Sequence, residues 1–131
     1  MHKQKVETAG APAAIGSYSQ AIRVGDAVYL SGQIGLDPAS GQLVAGGAKA
    51  EIRQIFTNLA AVAEAAGGGL ADAVKVTAYL TDLAAYPDLN EIMGEFFPAP
   101  FPARAAVAVA ALPRGARAEA DVILVLGAAG R

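Results

Sequence analysis

Residues 48–80 read AKAEIRQIFTNLAAVAEAAGGGLADAVKVTAYL, and the spacing of the apolar residues changes within this stretch. Up to Ala66 the apolar residues recur every three or four positions, which is typical of a helix with one buried face. The three glycines at 67–69 end that pattern. From Ala73 to Leu80 apolar side chains alternate with longer polar or aromatic ones, as in a half-buried strand. A helix followed closely by a strand predicts a domain that contains both element types.

The flanking sequence adds two strands before this stretch and a helix and two strands after it. A Gly25-Asp26 turn predicts a hairpin, and proline at position 87 suits the first turn of a helix. The predicted elements are strands at Ser19–Val24 and Ala27–Gly32, a helix from near Pro87, and strands near Arg104–Ala110 and Arg117–Leu126 that form a hairpin turning at 113–115. The order ββαβαββ predicts an α+β sandwich, with two helices on one face of a mixed sheet.

The length predicts one domain over residues 1–131, of which the first ten are expected to be flexible or to form a short edge strand. Hydrophobic residues make up 54% of the chain and 32 residues are alanine, while only 17% are charged. The longest uncharged run, from Thr8 to Ile22, is broken by glycine and proline, so no membrane span is expected. Burial of one face in an oligomer would explain this excess of apolar residues in a small domain.

Several classes of function are disfavoured by composition. The net charge is −2 and the basic residues are scattered, so no surface for nucleic acid is expected. Cysteine is absent and the only histidine is His2, near the terminus, which argues against thiolate nucleophiles, histidine triads and most metal sites. With no visible secretory signal and no cysteine, we expect a cytoplasmic protein.

Two charged residues interrupt the most apolar strands. Arg104 lies within Phe101–Leu112, and Glu119 begins a run that is apolar to Leu126 apart from one aspartate. Such charges are costly unless they are paired or reach a wet cleft, so an ion pair, a strand-edge position and a functional site are all open. A guanidinium binds carboxylates well, and a half-buried carboxylate can orient a water. In the predicted hairpin the two residues lie roughly 15 Å apart, so a shared site would combine Arg104 of one subunit with Glu119 of another.

Separated motifs give the chain a resemblance to a known family. The motifs are Ala11-Pro-Ala-Ala-Ile-Gly-Ser-Tyr-Ser-Gln20, Leu30-Ser-Gly-Gln-Ile34, Phe101-Pro-Ala-Arg104, and Leu112-Pro113 followed by Glu119. In this order and spacing they closely resemble the reactive intermediate deaminase (Rid) family, over about Ala11 to Leu126. The resemblance implies a chorismate-mutase-like fold, a homotrimer with pockets between subunits, and no metal or organic cofactor.

The resemblance also implies an activity and a set of site residues. Well-known members hydrolyse 2-iminobutanoate and 2-iminopropanoate, the imine tautomers of enamines released by PLP-dependent dehydratases, to 2-keto acids and ammonia. By position, the implied roles are a substrate carboxylate clamp for Arg104, water activation for Glu119, pocket lining for Tyr18, Ser31 and Asn90, and backbone contact for Gly32 and Ala106.

This sequence departs from the family pattern at Ala106, where many active members have cysteine, so any role of that thiol is absent. Two alternatives stay open. The first is a non-catalytic trimer that binds small carboxylates or acts as a chaperone-like protein. The second is RNA cleavage, an activity ascribed to some relatives, which the negative charge and the lack of a catalytic histidine disfavour.

Overall fold

The computed structural model describes residues 1–130, so Arg131, the last residue of the expected domain, lies outside the described residues. This part of the chain contains six strands and two helices, and short 3₁₀ turns connect some of them. The elements are β1 Gln4–Val6, β2 Ala21–Val24, β3 Ala27–Gln33, α1 Gly47–Ala65, β4 Ala73–Leu80, α2 Tyr86–Phe96, β5 Ala103–Ala108 and β6 Ala118–Val125. Each sequence-predicted element is present, and the first ten residues contain a short edge strand, β1.

All six strands form one sheet in the order β1-β2-β3-β6-β4-β5. Every neighbouring pair is antiparallel except β4 and β5, which are parallel and are connected through α2. Alternate residues of β4 and β6, such as Val76 and Val122, are fully buried beneath the helices. Within the described residues 1–130 no helix packs on the other face of the sheet, which we call the open face. The predicted mixed α+β sheet with both helices on one face is therefore confirmed.

The predicted hairpin of the last two strands is wrong. Among the strands of residues 1–130, β5 pairs with β4 alone, whereas β6 lies between β3 and β4 and is antiparallel to both. Arg104 is therefore aligned with Val76 of β4 and not with a residue of β6. Consecutive strands pair in most proteins, and here the segment between β5 and β6 crosses the end of β4 instead.

The two helices pack through aromatic rings. Phe56 of α1 lies with its ring centroid 5.8 Å from that of Phe96 and 5.5 Å from that of Phe97, the latter edge to face. After α1, Gly67 takes a φ of 98°, a left-handed conformation that ends helices and favours glycine. Within residues 1–130, neither helix has the length and apolar character that crossing a bilayer requires.

A buried carboxylate fixes the start of β6 against α1. Glu51 is fully buried in α1, and it accepts hydrogen bonds from the backbone N–H of Arg117 at 2.7 Å and from its guanidinium Nη1 at 2.9 Å. Charged hydrogen bonds of this kind are among the strong ones. Because Arg117 directly precedes β6, this contact also sets the position of Glu119, two residues further on.

Candidate active site in two halves on opposite faces of the sheet

Arg104 lies on the edge strand β5 and points towards the helices. Its neighbour in β4, Val76, is fully buried beneath the helices, and paired residues of adjacent strands point to the same face. Three groups of α2 hold the guanidinium: Nη1 donates to Asn90 Oδ1 at 3.1 Å and to Met93 Sδ at 3.6 Å, and Nη2 donates to the Tyr86 hydroxyl. The structure thus brings Arg104 and Asn90 together, as the family pattern implies.

An open cavity of about 430 Å³ lies beside this guanidinium. Its lining residues are Asn90, Met93, Gly94, Phe101, Pro102 and Arg104. Ala106 follows two residues after Arg104 on the same face of β5, is aligned with the buried Ala78, and packs partly against the core. A cation at the base of a partly apolar cavity can bind a small carboxylate whose other end is apolar. We call this region the Arg104 half.

Glu119 lies on the central strand β6 and points to the open face, since its neighbours Ala118 and Ala120 are buried on the other. The residue paired with Glu119 on the neighbouring strand β4 is Tyr79. Burial raises the pKa of the Glu119 carboxyl above its ordinary value, and the charge of Asp121, two residues along on the same face, raises it further. Such a carboxyl exchanges its proton closer to neutral pH than an exposed one.

A second cavity, of about 520 Å³, contains Glu119. The residues that line it are Pro12, Ala13, Ile15, Tyr18, Gly32, Gln33, Ile34, Leu36, Pro113, Arg114 and Glu119. Tyr18, Gly32 and Glu119 are therefore brought together, again as the family pattern implies. Ser31, which was also expected to line the pocket, precedes Gly32 in β3 but is not among these lining residues, and its hydroxyl donates to the Ser19 carbonyl at 2.5 Å. We call this region the Glu119 half.

Glycine at position 32 allows the close approach of the Glu119 carboxylate. A Cβ built at Gly32 would lie 3.1 Å from Glu119 Cδ and 3.4 Å from Cγ, and would overlap with Oε2. Real side chains avoid contacts this short, so any larger residue at position 32 displaces the carboxylate. The motif Leu30-Ser-Gly-Gln thus has a direct physical link to Glu119.

The two halves do not meet within one chain. Arg104 is aligned through Val76 with Val122, and Glu119 is three residues away from Val122 on the opposite face of β6. The backbones of Arg104 and Glu119 are separated by two strand spacings across the sheet and by three residues along the strand, which together amount to roughly 14 Å. The separation is close to that expected from the sequence, but the predicted reason, a β5–β6 hairpin, is wrong.

The structure narrows the alternatives left open for these two charges. Among the ion pairs formed by residues 1–130, neither Arg104 nor Glu119 takes part. Arg104 does occupy an edge strand, as one alternative stated, whereas Glu119 is on a central one. In the same part of the chain no group of three or more acidic or histidine side chains is placed to hold a metal ion.

Sequence reasoning missed four residues that contact or flank the two halves. Tyr86 and Met93 hold the guanidinium, and no local pattern indicated this because they approach it across the fold. Asp121 shares the face of Glu119, which the two-residue period of β6 could have revealed. Its carboxylate accepts a hydrogen bond from the Tyr79 hydroxyl at 2.9 Å, which raises the pKa of Tyr79.

Comparison with known proteins places this fold and these motifs in one family. The family described as "Endoribonuclease L-PSP" matches residues 8–126. A "2-iminobutanoate/2-iminopropanoate deaminase" of Bos taurus is 48% identical over 122 residues, 93% of this chain and 89% of that protein. The human protein of the same name is 46% identical over 125 residues, 95% of this chain and 91% of its own.

The solved structures agree with the sequence relatives. The crystal structure titled RidA from the Antarctic bacterium Psychrobacter sp. PAMC 21119 is 50% identical, with a TM-score of 0.91, and the match covers 94% of this chain and 99% of that one. A likeness of this extent confirms the expected chorismate-mutase-like α+β fold. Since the family match spans most of the chain and the relatives are nearly half identical over almost all of it, the chain belongs to the reactive intermediate deaminase family, the family described as endoribonuclease L-PSP.

Proposed function

We propose that this protein is an imine deaminase that hydrolyses 2-iminobutanoate, 2-iminopropanoate and similar small 2-imino acids to 2-keto acids and ammonia. Relatives of this name match nearly its whole length. The observation that carries the proposal is the site itself: an arginine held at the base of one cavity, and a half-buried glutamate with a raised pKa in another. These groups match the two needs of the reaction, which are to bind a carboxylate and to handle a proton.

Arg104 acts as the clamp for the substrate carboxylate. A guanidinium is planar, remains charged, and matches a carboxylate with two parallel N–H groups. Asn90, Met93 and Tyr86 already hold its orientation before substrate binds, so little freedom is lost on binding. Fixing the carboxylate also fixes the adjacent carbon–nitrogen double bond, where the reaction takes place.

Glu119 acts on water as a general base and then as a general acid. As the carboxylate accepts a proton from water, the water oxygen bonds to the carbon of the protonated imine and gives a neutral tetrahedral carbinolamine. Glu119 then returns this proton to the nitrogen, the carbon–nitrogen bond breaks with its electron pair leaving on ammonia, and the hydroxyl proton passes to the Glu119 carboxylate as the carbonyl of the 2-keto acid forms. A carboxyl whose pKa is raised by burial and by Asp121 suits both directions of proton transfer better than an exposed one.

We further propose that the working site forms between two subunits of a homotrimer, with one subunit supplying the Arg104 half and its neighbour the Glu119 half. The proposal is supported by the opposite orientations of the two residues, which cannot act on one small substrate within a single chain. Large apolar side chains on the open face also support it: Tyr29, Val107 and Val125 are 51%, 43% and 38% exposed. A neighbouring subunit that covers this face would bury them.

An imine-trapping assay tests the activity. An amino-acid oxidase generates 2-iminobutanoate or 2-iminopropanoate in the presence of semicarbazide, and the protein is expected to lower the amount trapped while ammonia release speeds up. The variant Arg104→Ala should lose most of this effect. Arg53→Ala is the matched control, since Arg53 is an exposed α1 residue paired with Glu95. Imine trapping that wild-type protein leaves unchanged would contradict the proposal.

A further inference from the structure

Tyr86 begins α2 and makes two separate contacts with the guanidinium of Arg104. Its hydroxyl accepts a hydrogen bond from Nη2, and its ring centroid lies 5.1 Å from Cζ, within the range of a cation–π interaction. We infer that Tyr86 is a positioning residue that selects the edge of the Arg104 guanidinium which the substrate carboxylate binds. The inference rests on the proposed function, in which Arg104 is the carboxylate clamp.

The donors of Arg104 show which edge is left for a ligand. A guanidinium has five N–H groups, of which two belong to Nη1, two to Nη2 and one to Nε. Asn90 Oδ1 and Met93 Sδ use both Nη1 groups, and Tyr86 uses one Nη2 group. Within residues 1–130 Nε donates no hydrogen bond, so Nε–H and one Nη2–H have no protein acceptor. Nε and Nη2 share one edge of the guanidinium, which is the edge we assign to the two oxygens of the carboxylate.

The position of Arg104 explains why it needs such support. β5 is an edge strand, and its neighbouring residues along the strand, Ala103, Ala105 and Ala106, are too small to restrain a long side chain. An arginine side chain has many rotamers, and holding one of them opposes a considerable loss of conformational entropy. The contacts from α2 therefore determine its orientation, and the Tyr86 hydroxyl is the one that fixes the Nη2 end.

The hydroxyl can be removed without removing the ring. In Tyr86→Phe the cation–π contact remains, but Nη2 loses its acceptor and the guanidinium can rotate away from the productive orientation. Loss of a hydrogen bond to a charged group corresponds to an effect of about tenfold. We expect this effect mainly as a higher KM, because the carboxylate is bound both before and during the reaction. Tyr86→Leu removes the ring as well and should weaken binding further.

Direct binding of a carboxylate separates this inference from the proposed function. Titration with 2-oxobutanoate, followed by calorimetry, measures the clamp without any turnover. Wild-type protein should bind it, Arg104→Ala should abolish binding, and Tyr86→Phe should raise the Kd about tenfold. Thr57→Val is the control, since it also removes one hydrogen-bonding hydroxyl, here from an exposed α1 residue outside both halves, and it should bind like the wild type. If binding follows this pattern but imines are not hydrolysed, the proposed function fails and the role of Tyr86 stands.

A double-mutant cycle distinguishes positioning from a general structural role. If Tyr86 acts through Arg104, Tyr86→Phe has no further effect on the residual kcat/KM once Arg104 is alanine. A structural role would instead lower kcat/KM by the same factor in either background. Equal 2-oxobutanoate affinity of the wild type and a folded Tyr86→Phe, or independent effects in the cycle, would overturn the inference.

Discussion

Replacing Gly32 with alanine tests whether the placement of Glu119 controls activity. The added methyl group would lie 3.1 Å from Glu119 Cδ and would overlap with Oε2, whereas carbon atoms in good contact are about 3.5–4.0 Å apart. The carboxylate must therefore move by roughly 1 Å to restore ordinary contact. A shift of this size at a catalytic group lowers the rate by about a hundredfold.

The same substitution should change stability little. The displaced carboxylate can turn into the adjoining cavity of about 520 Å³, so the backbone need not move. Alanine is also more favourable than glycine in a strand by roughly 0.5–1 kcal/mol, which offsets part of the strain. We therefore expect kcat/KM for 2-iminobutanoate to fall about a hundredfold while the free energy of unfolding stays within about 1 kcal/mol of the wild type.

Gly69→Ala is the matched control for this experiment. A Cβ at Gly69 has no neighbour within 4 Å, and its backbone φ of −165° suits any residue. This variant should keep the wild-type kcat/KM. The reasoning is refuted if Gly32→Ala is as active as Gly69→Ala, or if it loses activity only because the protein unfolds.

Three further substitutions test the burial of the Glu119 charge, the effect of Asp121 on it, and the contact that positions β6. Glu119→Gln should raise the Tm near pH 8. The pKa of the Glu119 carboxyl is higher in the folded than in the unfolded protein, so the folded state binds this proton more tightly. The resulting stability is present below the unfolded-state pKa and is lost as the pH rises through the folded-state pKa, and glutamine avoids that loss. The gain in thermal scans should vanish near pH 4, and a constant gain at both pH values would argue against burial of the charge. Asp121→Asn removes a like charge and lowers the pKa of Glu119, so the acidic limb of the pH–rate profile should move to lower pH; an unmoved limb would show that Asp121 does not act on Glu119. Arg117→Ala leaves the carboxylate of fully buried Glu51 with one charged donor fewer, while the backbone N–H of residue 117 still donates, so urea unfolding should show a loss of about 2 kcal/mol. Arg53→Ala, at an exposed pair, should lose less than about 1 kcal/mol, and equal losses would contradict the account.

The sequence predicts the elements of the fold well because their signals are local. Helical spacing over Ala48–Ala66 and alternation over Ala73–Leu80 reflect one buried face in each element, and both agree with the structure within one residue at each end. The pairing of β5 and β6 could not be predicted in this way. Strand order depends on which surfaces the completed sheet buries, and the chain between 109 and 117 has no pattern that distinguishes a hairpin from a crossing.

The residues of the candidate site also differ in how well the sequence predicts them. Arg104 and Glu119 were recognisable as charges within apolar strands, and the family motifs indicated Tyr18 and Gly32 near them. The partner of Arg104 on α2, Tyr86, was not recognisable, because 18 residues and a change of element separate them. Contacts of this kind depend on how a helix packs on a sheet, which no short motif records.

The most direct test of the intersubunit site is complementation between two inactive variants. Arg104→Ala and Glu119→Gln are mixed in equal amounts, dissociated in denaturant and reassembled, and imine hydrolysis is then measured. With one half from each neighbour, a random trimer combines an intact Arg104 with an intact Glu119 at about a quarter of its interfaces, so about a quarter of wild-type activity should return. A mixture of Arg104→Ala with Asn90→Ala, both altered in the Arg104 half, should recover nothing beyond its components. If the first mixture also stays at the level of its separate variants, the site does not lie between subunits and the account is wrong.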